Sequence, residues 1–250
     1  MLLQKERASL IIKIVAGFIG LAFVISLIPS IRVSSPSAPK VDASQNFEPR
    51  VKELEKVLKK DPNQSNVLLE LGGVYYNWGG TLENEKKIEQ AVEKYGKASQ
   101  ALEKSLNLKP NPDGFVLLGN VYFDWGAALK TIKTLKASAK TLDASVKFQQ
   151  AVIFYQKYLD VNPSNQDVRT DMGIAFYESG NPESAISQFK EVLKVNPQHI
   201  NAAFNLGLVS DNAGKKDEAI KAWKSFLKLE SKGPNADQAR SRLKELESKK

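Results

Sequence analysis

Two patterns of apolar residues divide the chain. Ile14 to Ile31 reads IVAGFIGLAFVISLIPSI, eighteen residues without a charge. Beyond Phe47 the apolar positions recur three or four residues apart, the period of helices with one buried face. As a helix the first run spans about 27 Å, close to the hydrocarbon thickness of a bilayer. Extending it back to Leu10 adds Lys13, near enough to the end to reach the headgroups. Lys5, Arg7 and Lys13 precede the run, and Arg32 and Lys40 follow it, which favours an inside N-terminus. We expect residues 1–9 to be a short cytoplasmic N-terminus, 10–31 a transmembrane signal-anchor and 32–46 a Pro/Ser/Ala-rich linker. The alternative is a cleaved signal peptide. Against it, the run is longer than a usual signal core, and a cut after Ala38 would be followed directly by Pro39.

The remainder repeats itself. Gly173 and Gly207, Gly180 and Gly214, Ala185 and Ala219, and Phe189 and Trp223 all stand 34 residues apart. Asn162-Pro163 returns as Asn196-Pro197 at the same interval. Upstream, Tyr75-Tyr76-Asn77-Trp78-Gly79 is echoed by Tyr122-Phe123-Asp124-Trp125-Gly126 at a spacing of 47. Each unit opens with a helix carrying Leu-Gly or Met-Gly and an aromatic residue one turn on: Leu71-Gly72 and Tyr75, Leu118-Gly119 and Tyr122, Met172-Gly173 and Phe176. The glycine admits a neighbouring helix, and the aromatic ring fills the adjoining gap. Gly79, Gly126, Gly180 and Gly214 are expected to end these helices as C-caps. The second helix shows Ala, an aromatic and Leu at intervals of four, as in Ala185, Phe189 and Leu193.

This grammar resembles the tetratricopeptide repeat (TPR) family over about Phe47 to Gly233. The resemblance implies an all-α, TPR-like helical-hairpin solenoid, a right-handed superhelix, here preceded by one transmembrane helix. We expect the array at 47–233: a lead helix 47–61, then repeats 65–110, 112–163, 166–199 and 200–233. A capping helix follows at 234–250, with Ala236, Ala239, Leu243 and Leu246 on its inner face. The first two units depart from the family. From first-helix glycine to second-helix alanine is twelve residues in the strong units, but 26 from Gly72 to Ala98 and 32 from Gly119 to Ala151. We read the insertions as lengthened helices, with a turn near Thr141–Asp143 and Thr81 as an N-cap.

Composition narrows the chemistry. The chain has no cysteine, so it has no disulfide, thiolate metal site or cysteine nucleophile. A single histidine, His199, excludes a two-histidine metal site, and its place after Pro197-Gln198 reads as a loop. The net charge is +8, and Lys5, Arg7, Lys13, Arg32 and Lys40 against Glu6 put half of it around the first segment. That argues against a nucleic-acid partner. Gly72-Gly73 and Gly79-Gly80 lack the Gly-Lys-Ser/Thr of a phosphate loop, and no nucleophile elbow is present. We expect no enzyme activity, cofactor or metal. Lys130, Lys133, Lys136, Lys140 and Lys147 read as a solvated basic face, with anionic lipid as the alternative contact.

The family resemblance implies a concave groove lined by the first helices, and fixed offsets from each glycine give its lining. The expected partner-binding residues are Asn66, Leu69, Tyr76 and Asn77, then Asn120, Phe123 and Asp124, then Asp167, Tyr177 and Glu178, then Asn201, Phe204, Asp211 and Asn212. Twenty offset positions hold five carboxylates and no Lys or Arg, which suits a neutral or basic peptide or protein segment. The competing reading has Tyr76 and Tyr177 packing between units. The expected function is a membrane-tethered adaptor or assembly factor for envelope partners, its repeat domain outside the cytoplasm. The alternative is a scaffold that self-assembles into homo-oligomers.

Overall fold

The computed structural model describes residues 46–135 and 144–248, all of them within one compact unit, Ser34–Lys250. The expected anchor at 10–31, its linker up to residue 45 and the turn near Thr141–Asp143 lie outside the described residues. Among the described residues, no helix is long and apolar enough to cross a membrane.

Ten helices and no strand are found among the described residues. They are α1 (Phe47–Lys60), α2 (Ser65–Asn84), α3 (Ile88–Leu108), α4 (Pro112–Leu135), α5 (Ala144–Leu159), α6 (Gln166–Glu178), α7 (Pro182–Val195), α8 (Ile200–Asn212), α9 (Lys216–Leu229) and α10 (Pro234–Ser248). Each helix packs on the next, and α2 touches α4, α6 touches α8, and α8 touches α10. This is the stacking of a helical-hairpin solenoid, in which each unit closes the core of its neighbour.

Local sequence explains where most helices begin and end. Asn165 Oδ1 accepts from the Val168 amide at 3.0 Å, and Asn181 Oδ1 from the Ser184 amide at 3.2 Å, with Pro182 in the first turn. Gly180 (φ +90°) and Gly214 (φ +72°) end α6 and α8 in the left-handed region, and the Asn181 amide reaches back to the Phe176 carbonyl at 2.8 Å. These are the C-caps the sequence predicts.

The same expectation fails at Gly79 and Gly126, which lie inside α2 and α4. They are close-packing positions: a Cβ on Gly79 would stand 2.5 Å from the buried Tyr95 ring, and one on Gly126 would stand 3.0 Å from Phe148. The insertion carries α2 on past Gly79, and the turn that ends it is made by Lys86 at φ 62°. There the Lys87 amide donates to the Leu82 carbonyl at 2.8 Å. Thr81 is not an N-cap either: its hydroxyl donates to the Asn77 carbonyl at 3.1 Å within α2.

The repeat signature is a contact between helices. A Cβ on Gly173 would meet the Phe189 ring at 2.6 Å, and one on Gly207 would meet Trp223 at 2.6 Å. In the inserted units Leu102 and Tyr155 occupy the same slot against Gly72 and Gly119. Trp223, Tyr155, Phe148, Phe189 and Tyr95 are among the largest fully buried side chains. The insertions have cores of their own: Leu82 joins Ala91 and Tyr95, and Ala128 and Leu129 are buried on the α4 extension.

Candidate partner-binding surface

The first helices of the four units, α2, α4, α6 and α8, stand side by side, and polar bonds link each to the next. Between α2 and α4, the Tyr76 hydroxyl donates to Asp124 Oδ2 at 2.8 Å. Between α6 and α8, Asn212 Nδ2 donates to the Tyr177 hydroxyl at 2.8 Å. Both join the residue four beyond one signature glycine to the residue five beyond the next. At the α4–α6 junction the corresponding pair is Phe123 and Glu178, and Phe123 has no hydrogen-bonding group. Lys130, two turns further along α4, takes over and donates to Glu178 Oε2 at 2.5 Å. Beyond α8, Arg242 of α10 grips Asp211 with two nitrogens at 2.7 and 2.9 Å. Planar, two-pronged contact of this kind is what guanidinium offers a carboxylate.

These bonds correct the charge reading of the surface. The twenty offset positions contain no Lys or Arg, yet two of their carboxylates are neutralised by cations from outside those positions, Lys130 and Arg242. Glu178 and Asp211 are nearly buried at 9% and 5% side-chain exposure, so their negative charge is spent within the molecule. Asp211 in turn raises the Arg242 pKa through its hydrogen bond. The basic-run reading changes too. Lys130 is tied to Glu178, and Lys147 sits 3.5 Å over the Trp125 ring, its pKa lowered by burial. The side chains of Lys133, Lys136 and Lys140 lie outside the described residues.

Other predicted positions divide between surface and core. Asn66 is exposed, and Leu69, Asn77 and Asn201 are half-buried. Phe204 is buried at 8% exposure, edge-on to Trp223 and Phe226 at 5.4 and 5.2 Å, so it belongs to the core rather than to a binding surface. Phe123 packs edge-on against Phe148 at 5.3 Å. Asn120 Oδ1 accepts from the buried Tyr155 hydroxyl at 2.8 Å. Asp167 is 60% exposed and meets His199 Nε2 at 3.1 Å. His199 stands in the connection before α8, where its Nδ1 accepts from the Ala202 amide at 3.2 Å and caps that helix.

One residue escaped the sequence reading. Asp171, two before Gly173, is a half-buried acid of α6. Burial, then the charges of Asp167 and Asp124, hold its pKa well above the ordinary carboxylate value. The equivalent Glu70 is paired with Arg50 of α1, and the equivalent Asn205 donates to the Asn201 carbonyl at 2.8 Å.

Away from this surface, tyrosine–carboxylate bonds tie α2 to α1 and α4 to α3. The Tyr75 hydroxyl donates to Glu55 Oε1 at 3.0 Å, and its pKa is pushed up to about 12 by burial and that bond. Tyr122 donates to Glu103 of α3 in the same way. Tyr75–Trp78 and Tyr122–Trp125 are stacked ring pairs, with centroids 6.4 and 6.1 Å apart. Lys94 lies 3.9 Å over Trp78, as Lys147 lies over Trp125. The echoed Tyr-Trp sequence is thus a structural unit rather than a ligand site. Among the described residues no group of His, Asp or Glu is arranged to hold a metal ion.

Comparison with known proteins agrees with this geometry. Residues 170–244 match the tetratricopeptide repeat family. No curated protein matches the chain by sequence. Among solved structures, the MamA protein aligns with a TM-score of 0.56 at 24% identity, over 74% of this chain and 83% of that one. MamA of AMB-1 aligns at 0.53 and 23%, over 74% and 89% of the two chains. MamA of MSR-1 gives 0.55 and 22%, over 74% and 87%. At these identities the likeness is one of fold. The described helices therefore have a TPR-like helical-hairpin solenoid fold, and residues 170–244 match the tetratricopeptide repeat family in sequence.

Proposed function

We infer that this chain is a binding adaptor or assembly factor, held at a membrane by residues 10–31, whose row of first helices receives a segment of a protein partner. It acts by binding and not by catalysis. The observation that carries this reading is the chain of bonds across that row. Tyr76–Asp124, Lys130–Glu178, Tyr177–Asn212 and Asp211–Arg242 fix one helix to the next. Asn66, Leu69, Asn77 and Asn201 remain at the surface with side chains that make none of these bonds. A prearranged surface of amides and apolar groups loses little freedom when a peptide settles on it.

The tether is supported by the uncharged Ile14–Ile31 run and its cationic flanks. By the same charge bias the repeat domain lies outside the cytoplasm and meets envelope or membrane partners. Confinement to a membrane raises the effective concentration of partners held in the same membrane. A second reading, self-association, is favoured by Val146 and Ile153, which lie seven residues apart on one face of α5 at 43% and 46% exposure.

Crosslinking in membranes, followed by recovery of the full-length chain and mass spectrometry, separates the two. The adaptor reading predicts another membrane or envelope protein, lost in an Asn66→Ala, Asn77→Ala, Asn201→Ala variant that keeps its helical circular dichroism. Recovery of the chain alone, through peptides of α5, would support self-association and overturn the adaptor.

A further inference from the structure

The helices of the outer row differ in what they show to solvent. α3 exposes Glu93 and Lys97, α7 exposes Lys190 and Glu191, and α9 exposes Lys221 and Lys224. On α5 the exposed residues from Ala144 to Gln156 are Val146, Gln149, Ile153 and Gln156, none of them charged. Lys147, the charged residue of that stretch, is drawn over the Trp125 ring at 3.5 Å. The four exposed residues stand three, four and three apart. That is the 3.5-residue period at which one helix meets another along its length. Val146 and Ile153 take its first position, and Gln149 and Gln156 its fourth. Phe148, Ala151 and Tyr155 are buried against the solenoid, so the outer seam shares no residue with the core.

A second copy of the same seam is the occupant that this chemistry describes. A glutamine amide both donates and accepts, so a row of amides matches its own image. A wholly apolar partner would leave Gln149 and Gln156 without hydrogen bonds, and a charged one would find no countercharge. β-branched residues at the first position favour two parallel strands, in which Val146 meets its own counterpart and Ile153 meets its own. The flanking Gln150 and Val152 are uncharged as well. The seam is about 16 Å long, three turns of helix, so it buries less than the ~1,200 Å² of a standard interface. Pairing of this strength belongs to chains already concentrated, as in a shared membrane.

We propose that α5 pairs with α5 of a second copy, parallel and in register, along Val146, Gln149, Ile153 and Gln156. This rests on the self-association reading and gives it a surface and a register. It leaves the row of first helices open, because α5 belongs to the outer row. A pair of chains then presents two partner-binding surfaces.

The chain has no cysteine, so one introduced thiol is the only one present. Val146→Cys, Gln149→Cys, Ile153→Cys and Gln156→Cys are made singly in the full-length chain and oxidised in membranes with copper phenanthroline. In a parallel pair each stands opposite its own counterpart, within the ~7 Å Cα separation that a disulfide spans. Each should give covalent dimer at least ~5-fold above Gln100→Cys and Ser187→Cys, exposed positions of α3 and α7. Val146→Lys with Ile153→Lys, both at the surface, should cut the Gln149→Cys dimer at least ~5-fold while helical circular dichroism is kept. Dimer at the control level from all four thiols, or dimer indifferent to the lysines, would overturn the pairing. So would dimer formed only when Val146→Cys is mixed with Gln156→Cys, the antiparallel arrangement, or adducts to a different protein in place of self-dimers. An amine crosslinker on the unaltered chain separates this failure from that of the underlying reading. Chain dimers there without thiol dimers would remove the α5 pairing alone, and no dimer by either route would remove self-association as well.

Discussion

The Tyr76 hydroxyl bonds Asp124 across the α2–α4 junction in the same register in which the Tyr177 hydroxyl receives Asn212 across α6–α8, each at 2.8 Å. The two differ in what they protect. Asp124 is half-buried, whereas Asn212 is exposed and has water as a substitute. Tyr76→Phe should therefore lower stability by about 1 kcal/mol, and Tyr177→Phe by less than about 0.5 kcal/mol. Thermal unfolding of the two variants side by side checks the order. Equal losses would mean that the two bonds are not distinguished by burial.

Gly79 and Gly126 reverse the usual rule for helices. Exchanging an exposed mid-helix glycine for alanine adds about 1 kcal/mol of stability. Here the new methyl of Gly79→Ala would stand 2.5 Å from the fully buried Tyr95 ring, which has no room to withdraw. The expected outcome is a loss of about 1–3 kcal/mol, read from denaturant midpoints. A gain would show that Gly79 is an ordinary helix residue.

Lys86 is the converse case. It holds φ at 62°, a conformation that costs a residue with a Cβ about 1 kcal/mol. Lys86→Gly should raise the unfolding midpoint by that much, less a few tenths for the added freedom of the unfolded chain. The side chain is exposed, so no packing is sacrificed.

How legible these positions were depends on which unit holds them. In the last two units Gly180 and Gly214 could be read directly, because short helices end where the repeat says they end. In the first two, the same Trp-Gly signature lies in longer helices where the glycine keeps its packing role, and in the first unit the turn that ends the helix falls at Lys86. The polar surface was legible only in part. Offsets from the signature glycines found Tyr76, Asp124, Glu178 and Asp211, but their partners Lys130 and Arg242 come from an insertion and a capping helix outside that register. Asp171 sits at the offset of Glu70, which pairs with Arg50 of α1, and of Asn205, which bonds a carbonyl of its own helix. Phe204 was misplaced because position on a helix predicts direction, whereas burial depends on what α9 brings against it.

Asp171 also gives a pH dependence. Its folded-state pKa is raised above the ordinary 3.8, so protonation favours the folded form. The stability it contributes is complete below the unfolded value and is lost as pH rises through the raised folded value. Asp171→Asn should therefore match the parent chain near pH 3.8 and become progressively more stable than it as pH rises. Paired melts across that range read the difference directly. A difference that is flat with pH would mean that the carboxyl is solvated.

The central claim is that the row of first helices, and not the outer row, meets the partner. A photoreactive amino acid placed singly at Asn77 and at Asn201, and for comparison at the exposed second-helix positions Gln100 and Ser187, tests it in intact membranes. The account predicts a crosslink to the same second protein from Asn77 and Asn201, and none from Gln100 or Ser187. Crosslinks from the second-helix positions alone, or to another copy of this chain from all four, would contradict it.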